Sequence, residues 1–285
     1  NRNVPTTLDE FTSLVYAMKE YGDFNGNGKN DEIYVSGDNL NNFNHFSFTW
    51  GLQICFGGNG WQVDENGVVT CDYIDDRYKE FLQYCHQLYK DGILDKELAT
   101  NNYNKMYEKV AADRVGIVWG YSTFADTYSD LTSYGSANPG TEIYTPGLPL
   151  KGPYGDQYMI YRITKGGDPT IITKDCEKPD IAMKWLDYIL CSKENIKLRY
   201  YGIEGVHHTV DADGNIKPID PPDGTSFSDY ISSLGGSQIP LCHIQSAERY
   251  KIVLRDWVFT ADEARLPYYK YTLIPIAWTA EEQEV

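Results

Sequence analysis

The chain has 285 residues, enough for one large domain or two ordinary ones, and 41% of them are hydrophobic, as a sizeable core requires. Its 41 acids against 25 Lys plus Arg give a formal net charge of -16, so the clustered cations that a nucleic-acid backbone demands are lacking. No apolar run reaches the ~18 residues of a membrane span, and the opening NRNVPTT shows no signal-peptide pattern, as expected of a mature form or a trimmed fragment.

In chain order, PTTLDEF starts a helix. Thr7 and Glu10 have the spacing of a capping box, in which each side chain satisfies an orphan amide of the other end of the first turn. Leu8, Phe11, Leu14, Val15 and Met18 then share one helical face, and the helix should end near Gly22. EIYV, a short strand, follows after a loop. VDENGVV reads as a hairpin turning at Asn66-Gly67, which tolerates positive φ. RYKEFLQYCHQLYKDGI is an amphipathic helix with Phe81, Leu82, Cys85, Leu88 and Tyr89 assigned inward and Gly92 as its stop. VGIVWG is a buried strand. KPDIAMKWLDYIL begins a helix at Pro179, with Ile181, Trp185 and Ile189 assigned inward, and SKENIKLRYY ends at Gly202. VDADGNIKPI is a second hairpin, and PIDPPDGTS is a loop. Strands and helices alternate, which predicts an α/β sheet layered by helices.

The loop GDFNGNGKNDE cannot build a core. Counting from Asp23 as position 1 of an EF-hand loop, Asn25 is position 3, Asn27 position 5, Gly28 position 6, Lys29 position 7 and Asp31 position 9. Gly28 permits the sharp turn, and Lys29 needs to offer only its carbonyl. Calcium takes ~6–8 hard oxygens, and Glu32 adds a further carboxylate. Tyr34 stands where the EF-hand has its bidentate Glu, and a strand follows in place of a second helix. The spacing predicts a fixed structural calcium site rather than a sensor.

The six cysteines form no CxxC pair, which argues against a zinc ribbon or a thioredoxin-type site. Cys85 and Cys191 sit in apolar helical patterns, and Cys55 and Cys71 flank the first hairpin and could bridge. HExxH, GxSxG, Walker A and GxGxxG are all absent. With 24 Tyr and 6 Trp, stacking on flat ligands such as sugar rings is a natural use of the aromatics.

The segments VPTTLDEF…MKEYGDFNGNGKNDEI, FLQYCHQLYKDGILDKELAT, KVAADRVGIVWG, PLKGPYGD, ITKDCEKPDIAMKWLDYIL and YYGIEGVHHTVDADGN resemble, in this order, the extracellular solute-binding proteins of family 1, the receptors of ABC importers. Alginate-binding and other oligosaccharide receptors are the most similar in pattern. The resemblance implies a type II periplasmic-binding-protein-like fold of two α/β lobes, here one lobe nearly complete plus part of the second. It puts residues 1-158 in lobe 2 with the calcium loop, 159-210 in lobe 1, and 211-285 back in lobe 2.

The resemblance also implies a calcium ion held by Asp23, Asn25, Asn27, Lys29, Asp31 and Glu32, and a role in solute import without catalysis. The expected partners are an oligosaccharide or other small solute and the permease subunits. The expected location is extracellular, as a cell-surface lipoprotein held only through a lipid anchor outside this chain, or periplasmic, and the expected state is a monomer. Candidate ligand-binding residues are Trp119 and Tyr121 after VGIVWG, Trp50 and Trp61 in the aromatic, glycine-rich segment, and Glu204 and His207 of EGVHH. The adjacent His207 and His208 point to opposite sides of an extended chain and are poor joint metal ligands. Two alternatives stand beside this reading. One is a calcium-stabilised carbohydrate-binding or cell-surface module without an importer. The other is a glycoside hydrolase, for which the 41 acids leave paired carboxylates open.

Overall fold

A computed structural model describes residues 4–54, 60–63, 66–138, 140–161, 171–210, 216–219, 221–222, 227–236 and 255–271. The chain divides into two compact units, one of Asn1–Ile163 with Asp256–Val285 and the other of Thr164–Arg255.

The first unit opens with α1, Leu8–Tyr21. Its capping box is formed as the sequence predicts: Glu10 N–H donates to Thr7 Oγ1 while the Glu10 carboxylate accepts from the Thr7 amide. Phe11 and Val15 are buried, with Leu8 and Met18 packed beside them. Gly22 ends the helix at φ 76, a conformation in which a Cβ would be strained. Strand β1, Ile33–Gly37, follows the loop and is succeeded by the short α2, Leu40–Phe43, and a 3-10 segment, Asn44–Trp50. Next come the antiparallel hairpin β2, Trp61–Val63, with β3, Val69–Cys71, then α3, Asp76–Lys90, and α4, Tyr103–Ala111. Strand β4, Val115–Trp119, pairs in parallel with β1, setting Ile33 against Val115 and Gly37 against Trp119. Helices α5, Ala125–Leu131, and α6, Ser133–Ala137, lead to β5, Met159–Tyr161.

The second unit holds α7, Pro179–Cys191, α8, Lys193–Tyr201, the antiparallel hairpin β6, His208–Val210, with β7, Ile216–Pro218, and α9, Phe227–Ser233. It extends to Arg255. The Ile219 amide donates to the His207 carbonyl, and the chain after α9 lies close enough to α8 that a Cβ on Gly236 would come 2.7 Å from the Arg199 carbonyl oxygen. The first unit then resumes with α10, Asp256–Arg265, and β8, Tyr269–Tyr271, which pairs in parallel with β5.

The main core of the first unit lies between α1, α3, the 3-10 segment and the β1–β4 pair. Phe11, Val15, Val35, Phe43, Phe46, Trp50, Leu52, Phe81 and Leu88 are all buried there. Phe46 is its hub, with ring neighbours Phe11, Phe43, Trp50, Phe81, Tyr84 and Trp119 at centroid distances of 4.4–6.1 Å. Such edge-on and offset pairs add about 0.5–1.5 kcal/mol each beyond area burial.

Two inward assignments need correction. On α3 the inward stripe is Phe81 and Leu88, both buried, with Tyr84 and Cys85 half-buried beside them, while Leu82 and Tyr89 are exposed. At 100° per residue those two fall off an 81/84/85/88 stripe. On α7, Ile181 and Trp185 are exposed at 61% and 60%, and Tyr188 extends the same stripe. Periodicity identifies residues that share a face; it does not supply the surface that covers them.

Candidate functional site

In open α/β sheets ligands lie outside the carboxyl ends of the strands. In the first unit that edge is formed by Gly37–Asp38 after β1 and Trp119–Gly120–Tyr121 after β4. Parallel pairing brings the two segments side by side, and the Asp38 amide donates to the Trp119 carbonyl at 3.1 Å. Trp119 is half-buried, with Phe46 against it at 4.4 Å and Phe11 and Phe43 meeting it edge-on. Core side chains therefore fix its orientation. Tyr121 is 46% exposed and meets Phe124 edge-on.

Phe124 gathers a second aromatic group of Tyr103, Tyr107, Tyr121 and Tyr128, of which Tyr103 and Tyr121 present surface. Sequence reasoning missed Tyr103 and Phe124. The Asn102 cap that begins α4 beside this edge was the only local signal. Ser122 donates to Asp262 of α10, and Arg265 joins Asp262 to the Gly147 carbonyl, adding polar groups to this neighbourhood.

Asp38 is fully buried. Its Oδ1 accepts from Asn42 Nδ2 at 2.7 Å and Asn39 Nδ2 at 3.2 Å, while Oδ2 has no hydrogen-bond partner among the described residues. Burial raises its pKa against the opposing pull of Asn42 and of the Asn39 and Tyr121 amides.

The other candidate residues fall elsewhere. Trp50 is only 3% exposed, wedged among Phe46, Phe81 and Tyr84, and presents no face to a ligand here; a glycine-rich neighbourhood masked a core aromatic. Trp61 is 49% exposed on β2, on the hairpin face that also carries Val63 and Val69. Cys71, across the hairpin, is a free thiol, and Cys55 lies outside the described residues. In the second unit Glu204 is exposed and paired with Lys197 at 2.8 Å, which holds its carboxyl below the usual range. His207 Nδ1 accepts from the Ile203 amide, and the buried His208 bonds the Tyr201 carbonyl through Nδ1. These bonds turn the two rings to local structural tasks.

The Asp23–Glu32 loop lies at the opposite, amino-terminal end of β1 and β4. Asp23 accepts from the Asn27 and Gly28 amides, Asn25 from the Asn27 amide, and Asn27 from the Lys29 amide. Asn27 also reaches Asp31, and Arg114, just before β4, clamps Asp31 through its carbonyl and carboxylate. Gly26 and Gly28 have positive φ, as the turn requires. Both carboxylate oxygens of Glu32 are buried and unpartnered. Burial, and next the Glu32 charge, raise the pKa of Tyr34. Among the described residues no three His, Cys, Asp or Glu side chains already converge on one point. The loop has only Asp23, Asp31 and Glu32 as acids, with asparagine and carbonyl oxygens completing the set. A pair of buried, uncompensated carboxylate oxygens is costly, and a cation is its natural counterpart. The donors present fit a hard cation.

No family model matches the chain. It is 28% identical over 192 residues to the fructooligosaccharide ABC transporter substrate-binding protein FusA of Streptococcus pneumoniae, covering 65% of this chain and 32% of FusA. It is 29% identical over 116 residues to lipoprotein LipO of Bacillus subtilis, covering 41% of this chain and 23% of LipO. The chain thus spans about a third or less of the curated relatives it matches. In fold it matches the crystal structure of the alginate-binding protein AlgQ2 without calcium ion, with a TM-score of 0.75 and 19% identity over 99% of this chain and 57% of that one. It likewise matches an EF-hand mutant of FusA in complex with fructo-nystose, with a TM-score of 0.64 and 20% identity over the same shares. FusA and AlgQ2 are described as binding proteins, and their architecture is the α/β fold expected from the sequence. The chain is a relative of the solute-binding proteins of ABC importers, with their fold.

Proposed function

We propose that this chain is part of the solute-binding component of an ABC importer, that it takes an oligosaccharide, and that it carries a structural calcium ion. Trp119 and Tyr121 at the carboxyl edge of the β1–β4 pair carry the ligand reading: one ring is clamped by the core and the other is exposed beside it. That arrangement suits a stacking platform for a sugar. Trp61, Glu204 and His207 are secondary candidates, and Trp50 supports the edge from below through Phe46. FusA is described in complex with kestose and with fructo-nystose, which makes fructo-oligosaccharides the first ligands to try. By the same likeness the protein is extracellular, tethered as a lipoprotein, and delivers its solute to permease subunits. The two units would be portions of two lobes.

The calcium reading rests on the orphaned Glu32 carboxylate. Asp23, Asn25, Asn27, Asp31, Glu32 and the Lys29 carbonyl would hold the ion, which would supply charge compensation and crosslink the loop. Calorimetry of the full-length protein against fructo-oligosaccharide and alginate panels tests the solute reading. Binding without turnover supports it, and release of shortened product would refute it.

A further inference from the structure

Asp38 meets two consecutive residues of the opposite strand end, Trp119 and Gly120. Its amide donates to the Trp119 carbonyl at 3.1 Å. A Cβ built on Gly120 would come 2.6 Å from its Oδ2 and 3.2 Å from its Cγ, while the next neighbour, a Val118 methyl, lies at an ordinary 3.7 Å. Asn42 and Asn39 hold Oδ1 from the other side, and Asn42 is itself buried. The carboxyl group is thus braced by α2 and pressed on the turn that carries Trp119 and Tyr121.

We propose that Asp38 is a positioning residue for the solute edge, fixing the Trp119–Gly120–Tyr121 turn so that the two aromatic rings keep their relation. The assignment builds on the solute-binding reading above, but the placement of the turn is a property of this chain alone. A buried, half-satisfied carboxylate costs stability. The Asp side chain accepts from Asn42 and Asn39 through Oδ1 and turns a second acceptor, Oδ2, to Gly120, whereas Asn has only one side-chain acceptor. Gly120 is exposed and has no positive φ, so its lack of a side chain answers to Oδ2 rather than to backbone strain.

The test compares Asp38→Asn, Asp38→Ala, Gly120→Ala and the double variant Asp38→Ala/Gly120→Ala in the full-length protein. Amide hydrogen exchange at residues 38 and 119–121 is read without ligand, and kestose affinity is read separately. Asp38→Asn should speed exchange of the Tyr121 amide roughly tenfold or more, as weakening of the charged hydrogen bonds from Asn42 and Asn39 that brace the turn implies. Gly120→Ala should do the same alone and add nothing once Asp38 is Ala, because the obstructing oxygen is gone. Unchanged exchange in Asp38→Asn, or additive effects of Asp38→Ala and Gly120→Ala, would overturn the proposal. If kestose binds the wild type, affinity should fall at least about threefold in Asp38→Asn; retained affinity with a loosened turn would also overturn it. A wild type that binds no sugar of the panel counts against the oligosaccharide reading, while the exchange measurements still decide the role of Asp38.

Discussion

Lys109 Nζ lies 2.8 Å from Asp95 Oδ2, with both side chains buried beneath the β1 strand. Ser36, Asn101 and the Glu97 amide complete the network: Ser36 donates to Asp95 at 2.6 Å, and Lys109 also donates to Asn101 at 2.8 Å. Removing one partner of such a pair strands the other charge. Lys109→Met should cost about 3–5 kcal/mol in urea unfolding, and adding Asp95→Asn should recover part of it. A loss below about 1 kcal/mol would show that the network is not stabilising.

The same pair sets a pH dependence. Burial alone pushes the Asp95 carboxyl up, but hydrogen bonds from Lys109, Ser36, Asn101 and the Glu97 amide outweigh it and hold the pKa below its ordinary value. A lowered folded-state pKa contributes stability above the unfolded value of ~3.9 and loses it as pH falls through the folded value. In Lys109→Met the unpaired carboxyl is relieved by protonation. The stability gap between wild type and Lys109→Met should therefore narrow as pH drops from 7 to 3, measured as urea midpoints. A constant gap would contradict the assignment.

Calcium should raise the melting temperature, and a chelator should lower it. At ~100-fold excess over the dissociation constant the linkage amounts to about 2.7 kcal/mol. Glu32→Gln should remove the calcium response while sparing the fold, since the wild-type carboxylate is buried without a partner. An undiminished response in Glu32→Gln would exclude Glu32 as a ligand.

Tyr121→Phe and Tyr121→Ala should separate stacking from packing. Tyr121 is half-exposed, so its truncation should leave the melting temperature nearly unchanged and weaken sugar binding by roughly three- to tenfold, the scale of one aromatic contact. Trp119→Ala removes a ring that touches Phe11, Phe43 and Phe46, and should cost about 3–5 kcal/mol as well as affinity. Equal stability losses for the two alanine variants would deny the division of labour.

Burial pushes the Cys85 thiol up to about 12. Iodoacetamide at pH 8 should label it only after denaturation, with Cys71 and Cys176, both half-buried free thiols, as internal comparison. Rapid native labelling of Cys85 would mean that α3 does not pack as described.

Much of the local structure was readable because its causes are local. Thr7 and Glu10 are three residues apart, Gly67 takes a positive φ between the strands of the first hairpin, and Gly92 and Gly202 stop helices through their own backbone freedom. Trp50 was misplaced because composition reveals an aromatic segment but not which ring turns inward. The Asp95–Lys109 network and the Asp38 brace tie β1 to segments distant in the sequence, and the Phe124 cluster joins α4 to α5, and no short-range pattern announces that. The α7 stripe failed for the opposite reason: Ile181, Trp185 and Tyr188 share a face as the helix period requires, yet that face lies open.

The Arg114 clamp on Asp31 ties the ion loop to the start of β4, while Trp119 ends the same strand. An ion and a sugar would then grip one strand at its two tips, sharing no atom. They would act as independent tensioners: each would lift the melting temperature by its own increment, and the sum of the two increments, rather than competition between them, would be the signature of both being bound.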